Sequence, residues 1–195
     1  MTGQRVGRRL GVISLICLVV TIGCDKTNSA SPEASSFLPR KVVFPKLPAL
    51  PNLNRSLLNL QPDPKVLAEK VLRALAEGDR KSLKQLLVTE DEFCKYLWPE
   101  FPANDIPNVT CEWVWSMDEA KSMAALNELL QVRSGKQYEL VAIDAGEVIE
   151  YKTFRIYKGP KLLLRRGDSL EEMALFGPIL EIDGSYKLYS FYTRE

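Results

Sequence analysis

Asp144, Glu150, Tyr151 and Tyr157 are the residues whose types and spacing best suit chemistry. All four fall on stretches that read as neighbouring strands. A carboxylate whose pKa is raised by burial, facing a tyrosine that donates to a developing oxyanion, can move a proton in a closed cavity. Asp144, Tyr151 and Tyr157 are therefore the candidate ligand-binding set. The competing reading of these residues is an ion pair or a solvated strand face. Little other catalytic inventory exists, because the chain contains no histidine. That excludes Ser-His-Asp and Cys-His nucleophile systems and most zinc sites. No S-x-x-K, P-loop, G-x-G-x-x-G or EF-hand string replaces them. Cys94 and Cys111 alone make a poor zinc site, so no metal and no cofactor is implied. Lys161, Arg165 and Arg166 form a small basic cluster near a hairpin, suited either to an anionic ligand or headgroup or to a solvated turn. Trp113, Trp115, Phe154, Phe176 and Phe191 read as core rather than as a ligand platform.

The elements that must position these residues divide the chain. Asp63-Pro64 opens a domain, with Asp63 as a cap and Pro64 at the first helical position. Val66, Leu67, Val71, Leu72, Ala74 and Leu75 keep a helical period to Gly78. Asp79 caps a second helix with Leu83, Leu86 and Leu87 as its stripe. Thr89-Glu90-Asp91-Glu92 is a capping box for a short third helix. Residues 109–134 read as a further helix with Trp113, Met117, Ala120, Ala124 and Leu130 on one side, and a second capping box at Ser116 and Glu119 predicts a break. After Gly135 the period changes to two. Strands are expected around Tyr138–Ala142, over 147–157, over 161–166, over 170–182 with a bend at Gly177-Pro178, and after the hairpin signal Asp183-Gly184. Helices followed by about five short-linked strands predict an α+β domain, with N-terminal helices packed on a curved antiparallel sheet.

Ahead of the domain lie two different stretches. Arg5, Arg8 and Arg9 precede the uncharged run Leu10–Gly23. At ~1.5 Å per residue this run is too short to cross a hydrocarbon core of ~30 Å, so it reads as a secretory leader rather than a permanent span. Residues 25–35 are polar and small, as in a linker. Pro39, Pro45, Pro48 and Pro51 then alternate with Val42, Val43, Phe44, Leu47, Leu50 and Leu53, which forbids helix and favours extended chain. This segment reads either as a strap across the domain's own surface or as a docking segment for another envelope protein.

Removing Arg5, Arg8 and Arg9 from the 26 basic residues leaves 23 against 25 acidic, a formal charge of −2. So balanced a surface gives no reason to expect nucleic acid. In an oxidising compartment Cys94 and Cys111 form an even pair suited to a disulfide; the alternative is two small buried hydrophobes.

Two resemblances add to this reading. Val20-Thr21-Ile22-Gly23-Cys24 resembles the bacterial lipobox. The resemblance implies cleavage before Cys24, a lipidated Cys24, and a protein anchored to the bacterial cell membrane and facing the periplasm or exterior. The chain then divides into a signal peptide over 1–23, a lipidated cysteine with a Pro-rich tether or strap over 24–62, and a domain over 63–195. Leu75-Ala76-Glu77-Gly78-Asp79 followed by Leu86-Leu87, ahead of a bent C-terminal sheet, resembles the nuclear-transport-factor-like or cystatin-like roll. That fold hosts enzymes and non-catalytic modules alike, so it does not choose a function. The expectation is a lipid-anchored envelope lipoprotein whose domain binds a partner protein or a small apolar ligand without catalysis. The alternative is a lipid-anchored isomerase or cyclase using an Asp/Tyr pair.

Overall fold

The computed structural model describes residues 44–192, apart from 46 and 54. The leader, Cys24 and the linker lie outside the described residues. Helix α1 (Pro64–Glu77) starts where Asp63 accepts the Val66 N–H at 2.8 Å, and it ends at Gly78 in the left-handed conformation. Asp79 then caps the short α2 (Arg80–Gln85). The capping box at Thr89 and Glu92 is formed and opens α3 (Glu90–Glu92), which continues as a π-helical turn over Phe93–Leu97 and two 3-10 turns. Helix α4 (Cys111–Arg133) is continuous. The expected break is absent because the Ser116 hydroxyl donates to the Trp113 carbonyl instead of capping a new helix.

The face that α4 buries is also not the expected one. Cys111, Trp115, Ser122, Ala125, Leu126 and Leu129 turn inward, while Trp113 is 57% and Met117 43% exposed. Both rows repeat at three and four residues. The inward row is fixed by the Cys94–Cys111 pair and by Ser122, whose hydroxyl accepts the Phe191 N–H at 2.9 Å.

Seven strand segments follow: β1 (Glu139–Asp144), β2 (Glu147–Glu150), β3 (Phe154–Lys158), β4 (Lys161–Arg166), β5 (Ser169–Met173), β6 (Ile179–Ile182) and β7 (Ser185–Leu188). They form two antiparallel sheets, ordered β1-β4-β5 and β2-β3-β6-β7. Asp144 opposite Lys161 and Glu147 opposite Lys158 belong to one register. The stretches β1–β2 and β3–β4 are thus the two arms of one hairpin bent sharply where the sheets divide, which gives the sheet its curvature. Gly146 sits at that bend with φ +71°, where a Cβ would lie 2.0 Å from the Lys158 carbonyl oxygen, so only glycine fits. Gly177 is the counterpart between β5 and β6, since a Cβ there would meet the Ser190 carbonyl oxygen at 2.7 Å.

The expected single strand over 147–157 is two strands. Its turn, Tyr151-Lys152-Thr153, lacks glycine, proline and asparagine, and is held from a distance. The Thr153 N–H and hydroxyl donate to the Glu100 carboxylate, and the Arg55 guanidinium donates to the Thr153 carbonyl. Ala145-Gly146 and Gly159-Pro160 are the facing halves of the bend. Asp183-Gly184 is the hairpin anticipated from sequence, with φ +49° and +73°.

Both faces of β3 and β6 are buried. Phe154, Ile156, Leu180 and Ile182 join one apolar cluster with Phe93, Leu97, Trp98, Cys111 and Trp115. Tyr157, Ile179 and Leu188 join the other, built on α1 and the C-terminal half of α4. The Pro-rich segment makes this double burial possible by lying across its own domain. Phe44 packs edge-on against Tyr157 (4.9 Å between ring centroids) and Tyr186 (6.1 Å), while Leu57 and Leu60 pack on the Phe154 cluster. Between them the Asp183 carboxylate accepts the Leu53 and Arg55 N–H groups at 3.1 and 2.8 Å. Gln61 then bridges to Tyr186 on the edge strand β7. The strap therefore wraps the tip of the β6–β7 hairpin.

Candidate functional site

Cross-strand pairing on the strap-covered face sets Arg155 opposite Glu150 and Glu181. Its guanidinium donates to Glu150 at 2.8 Å, to Glu181 at 3.3 and 3.4 Å, and to the carbonyl of Pro48 in the strap. Burial works against the Arg155 charge, but the two carboxylates outweigh it and its pKa is raised. The Tyr157 hydroxyl donates to Glu181, and burial followed by that carboxylate pushes its pKa far up. Tyr157 is thus a locked neutral donor, closed off by Phe44.

The other residues expected beside Tyr157 are elsewhere. Asp144 is exposed, and its carboxylate accepts the Gly146 N–H at the sheet bend. Tyr151 stacks on Phe154 at 4.4 Å and meets Phe101 edge-on; burial, then Glu100, raises its pKa. The structure does not assemble Asp144, Tyr151 and Tyr157 into one pocket. The basic cluster at 161–166 is largely neutralised across the sheet, by Lys161 with Glu172 at 2.7 Å and Arg165 with Glu139 at 2.9 Å.

A different acid–tyrosine pair is present. Between α4, the chain after α2 and the chain after β7 lies a cleft of about 190 Å³ lined in part by Trp115, Asp118, Met123 and Tyr189. The Tyr189 hydroxyl donates to Asp118 at 3.0 Å. Burial, then the Asp118 charge, raises the tyrosine pKa, so it holds its proton and Asp118 accepts. The sequence signal was available but weak: Trp115, Asp118 and Ser122 share one face of α4, the face buried by the disulfide register.

A second buried charge pair braces this side. Lys187 on β7 reaches Glu92 at 2.6 and 2.8 Å, with side chains 1% and 5% exposed. Glu92 also accepts the Thr89 and Leu58 N–H groups, joining the capping box to the strap. Burial lowers the Lys187 pKa, and Glu92 opposes that shift. Cys94 and Cys111 lie at disulfide distance, with Cα atoms 5.5 Å apart. Among the described residues no cluster of three or more His, Cys, Asp or Glu side chains could hold a metal, and no helix is long and apolar enough to cross a membrane.

Compared with known protein families, curated proteins and solved structures, the chain matches none.

Proposed function

We propose that this chain is a lipid-anchored lipoprotein of the bacterial envelope. Its α+β domain, of the nuclear-transport-factor-like or cystatin-like kind, serves as a non-catalytic binding or assembly module. The observation that carries the reading is the Cys94–Cys111 pair at disulfide distance, which suits an oxidising compartment and agrees with a leader ending at Cys24. Support for a binding role comes from the interior. Tyr157, Phe176 and Phe191 are buried together in one apolar cluster, and Tyr157 is tied to Glu181. We favour a protein partner over a small apolar ligand for that reason. The strap spends Phe44, Leu57 and Leu60 on its own domain, which leaves the outward Leu53 and Leu58 for contact with an envelope partner.

Mass spectrometry of the protein recovered from bacterial membranes tests the anchor. The expected product begins at Cys24 and carries a diacylglyceryl group and an N-acyl chain, and Cys24→Ala abolishes processing. Recovery of residues 1–23 still attached to an unmodified Cys24 would overturn the reading.

One observation favours the second reading, a lipid-anchored isomerase or cyclase: Tyr189 and Asp118 meet in a cleft. Turnover of a carbonyl substrate that disappears in both Tyr189→Phe and Asp118→Asn would establish it.

A further inference from the structure

We infer that the trough between α1, α2 and the strap is a binding site for a phosphate group carried on an organic substituent. Six basic residues fall within Pro64–Gln85, against Glu69, Glu77 and Asp79. The acids are mostly occupied: Glu69 pairs with Lys65 at 3.4 Å, and the Asp79 carboxylate is bound to the Ser82 N–H and hydroxyl. Lys70, Arg73, Lys81 and Lys84 have no ion pair among the described residues, and Arg80 donates to the neutral Asn127. These cations converge on two adjoining hollows that share Asn59 and Gln85. One, of about 260 Å³, is lined by Lys70 and Arg73; the other, of about 780 Å³, by Arg80, Lys81 and Lys84. Glu77 is the acidic side chain in this lining.

The far wall is built rather than incidental. The Leu58 N–H is bound by the buried Glu92, and the Asn59 carbonyl accepts from the Gln61 side chain. The side-chain amides of Asn59 and Gln85 make no hydrogen bond among the described residues, so they stand ready as donors. A phosphate has several oxygens to share among cations from two helices, and Arg73 offers a planar fork for two of them. The hollows exceed one phosphate in volume, and Leu58, 65% exposed, forms an apolar rim. Both features fit a substituted phosphate, either a lipid headgroup or a soluble phosphate ester. A chain of formal charge near zero thus carries a concentrated positive field on one side.

The test uses residues 38–195, which form one compact unit with its own core and lack Cys24, so its outcome is independent of lipidation. Binding is measured by sedimentation with vesicles of phosphatidylcholine, with and without phosphatidylglycerol, and by calorimetric titration with glycerol 3-phosphate. The expected result is binding that needs the anionic phosphate and weakens with salt. It falls about five-fold in Lys81→Gln and about 25-fold in Lys70→Gln/Lys84→Gln. Lys152→Gln/Lys158→Gln, the same loss of charge at exposed positions of the sheet, leaves binding within about two-fold. Binding to phosphatidylglycerol vesicles without glycerol 3-phosphate binding assigns the phosphate to a lipid; calorimetric binding of glycerol 3-phosphate assigns it to a soluble ester. Absence of binding in both arms overturns the inference, as does an equal loss in the Lys152/Lys158 control.

Discussion

Asp183 is the point at which the strap is fastened, and Asp183→Asn tests that role with little else changed. The carboxylate accepts two strap N–H groups, at 3.1 and 2.8 Å, and lies 3.8 Å from the Arg55 guanidinium, both side chains being 8% exposed. Asparagine has nearly the same shape and tolerates the left-handed conformation at φ +49°, so the hairpin turn survives. Its amide offers one acceptor and one donor, however, so one strap N–H must face an N–H or swing away. A hydrogen bond to a charged acceptor contributes about 1.5–3 kcal/mol, and the ion pair adds at most about 1 kcal/mol. Asp183→Asn should therefore cost about 2 kcal/mol. Asp183→Ala, which loses both bonds and favours the turn less, should cost about 4 kcal/mol. Urea unfolding of residues 38–195 reads this directly: at about 2 kcal/mol per molar, the asparagine variant shifts the midpoint by about 1 M. Limited proteolysis gives an independent reading, because a 2 kcal/mol easier release raises the open population of the strap about 30-fold. Should Asp183→Asn match the wild type within about 0.5 kcal/mol and leave strap cleavage unchanged, the clamp is refuted.

Lys187→Met leaves the buried Glu92 without its cation and should cost about 3–5 kcal/mol; Lys187→Met/Glu92→Gln should recover more than half of that in the same urea titration. Tyr157 and Tyr189 have folded pKa values raised above the ordinary 10.0, so their contribution is complete below pH 10 and is lost as pH rises, by up to about 1.4 kcal/mol per pH unit for each. Lys187, with its pKa lowered, acts in the opposite sense and gains stability as pH rises, but only until its unfolded value of 10.5 is passed. Urea midpoints on either side of pH 10 should thus fall steeply on the alkaline side, and Tyr157→Phe should flatten the fall; an unchanged slope would remove Tyr157 from the account. Cys94→Ser/Cys111→Ser, or reductant on the wild type, should lower stability by about 3 kcal/mol for a crosslink spanning 17 residues, whereas indifference to reductant would mean the thiols merely pack.

Where the structure departs from what the sequence suggests, a long-range partner has overruled a local signal. Asp63, Gly78, Thr89 with Glu92, and Asp183-Gly184 act within a few residues of themselves, and each is where local rules put it. The Tyr151–Thr153 turn carries no local signal because its fastening, Glu100 and Arg55, arrives from distant segments. The face of α4 was undecidable by period alone, since rows containing Trp113 and Trp115 repeat equally well. The disulfide partner and Phe191 make the choice. The candidate site follows the same pattern. Tyr157 was legible as a buried tyrosine on a strand, but its acid is Glu181 rather than Asp144. The Asp118–Tyr189 pair joins residues far apart in the chain that no alternation could connect.

The strap changes what a lipid at Cys24 would do. Were all of residues 25–62 free, the domain would hang at a root-mean-square distance of roughly 35 Å from its anchor. With Phe44 seated on Tyr157 and Pro48 bound by Arg155, the described part of this segment is packed on the domain from residue 44 onward and adds no free length. Among the first described residues, Phe44 and Pro48 cover the sheet face that carries Arg155 and Tyr157.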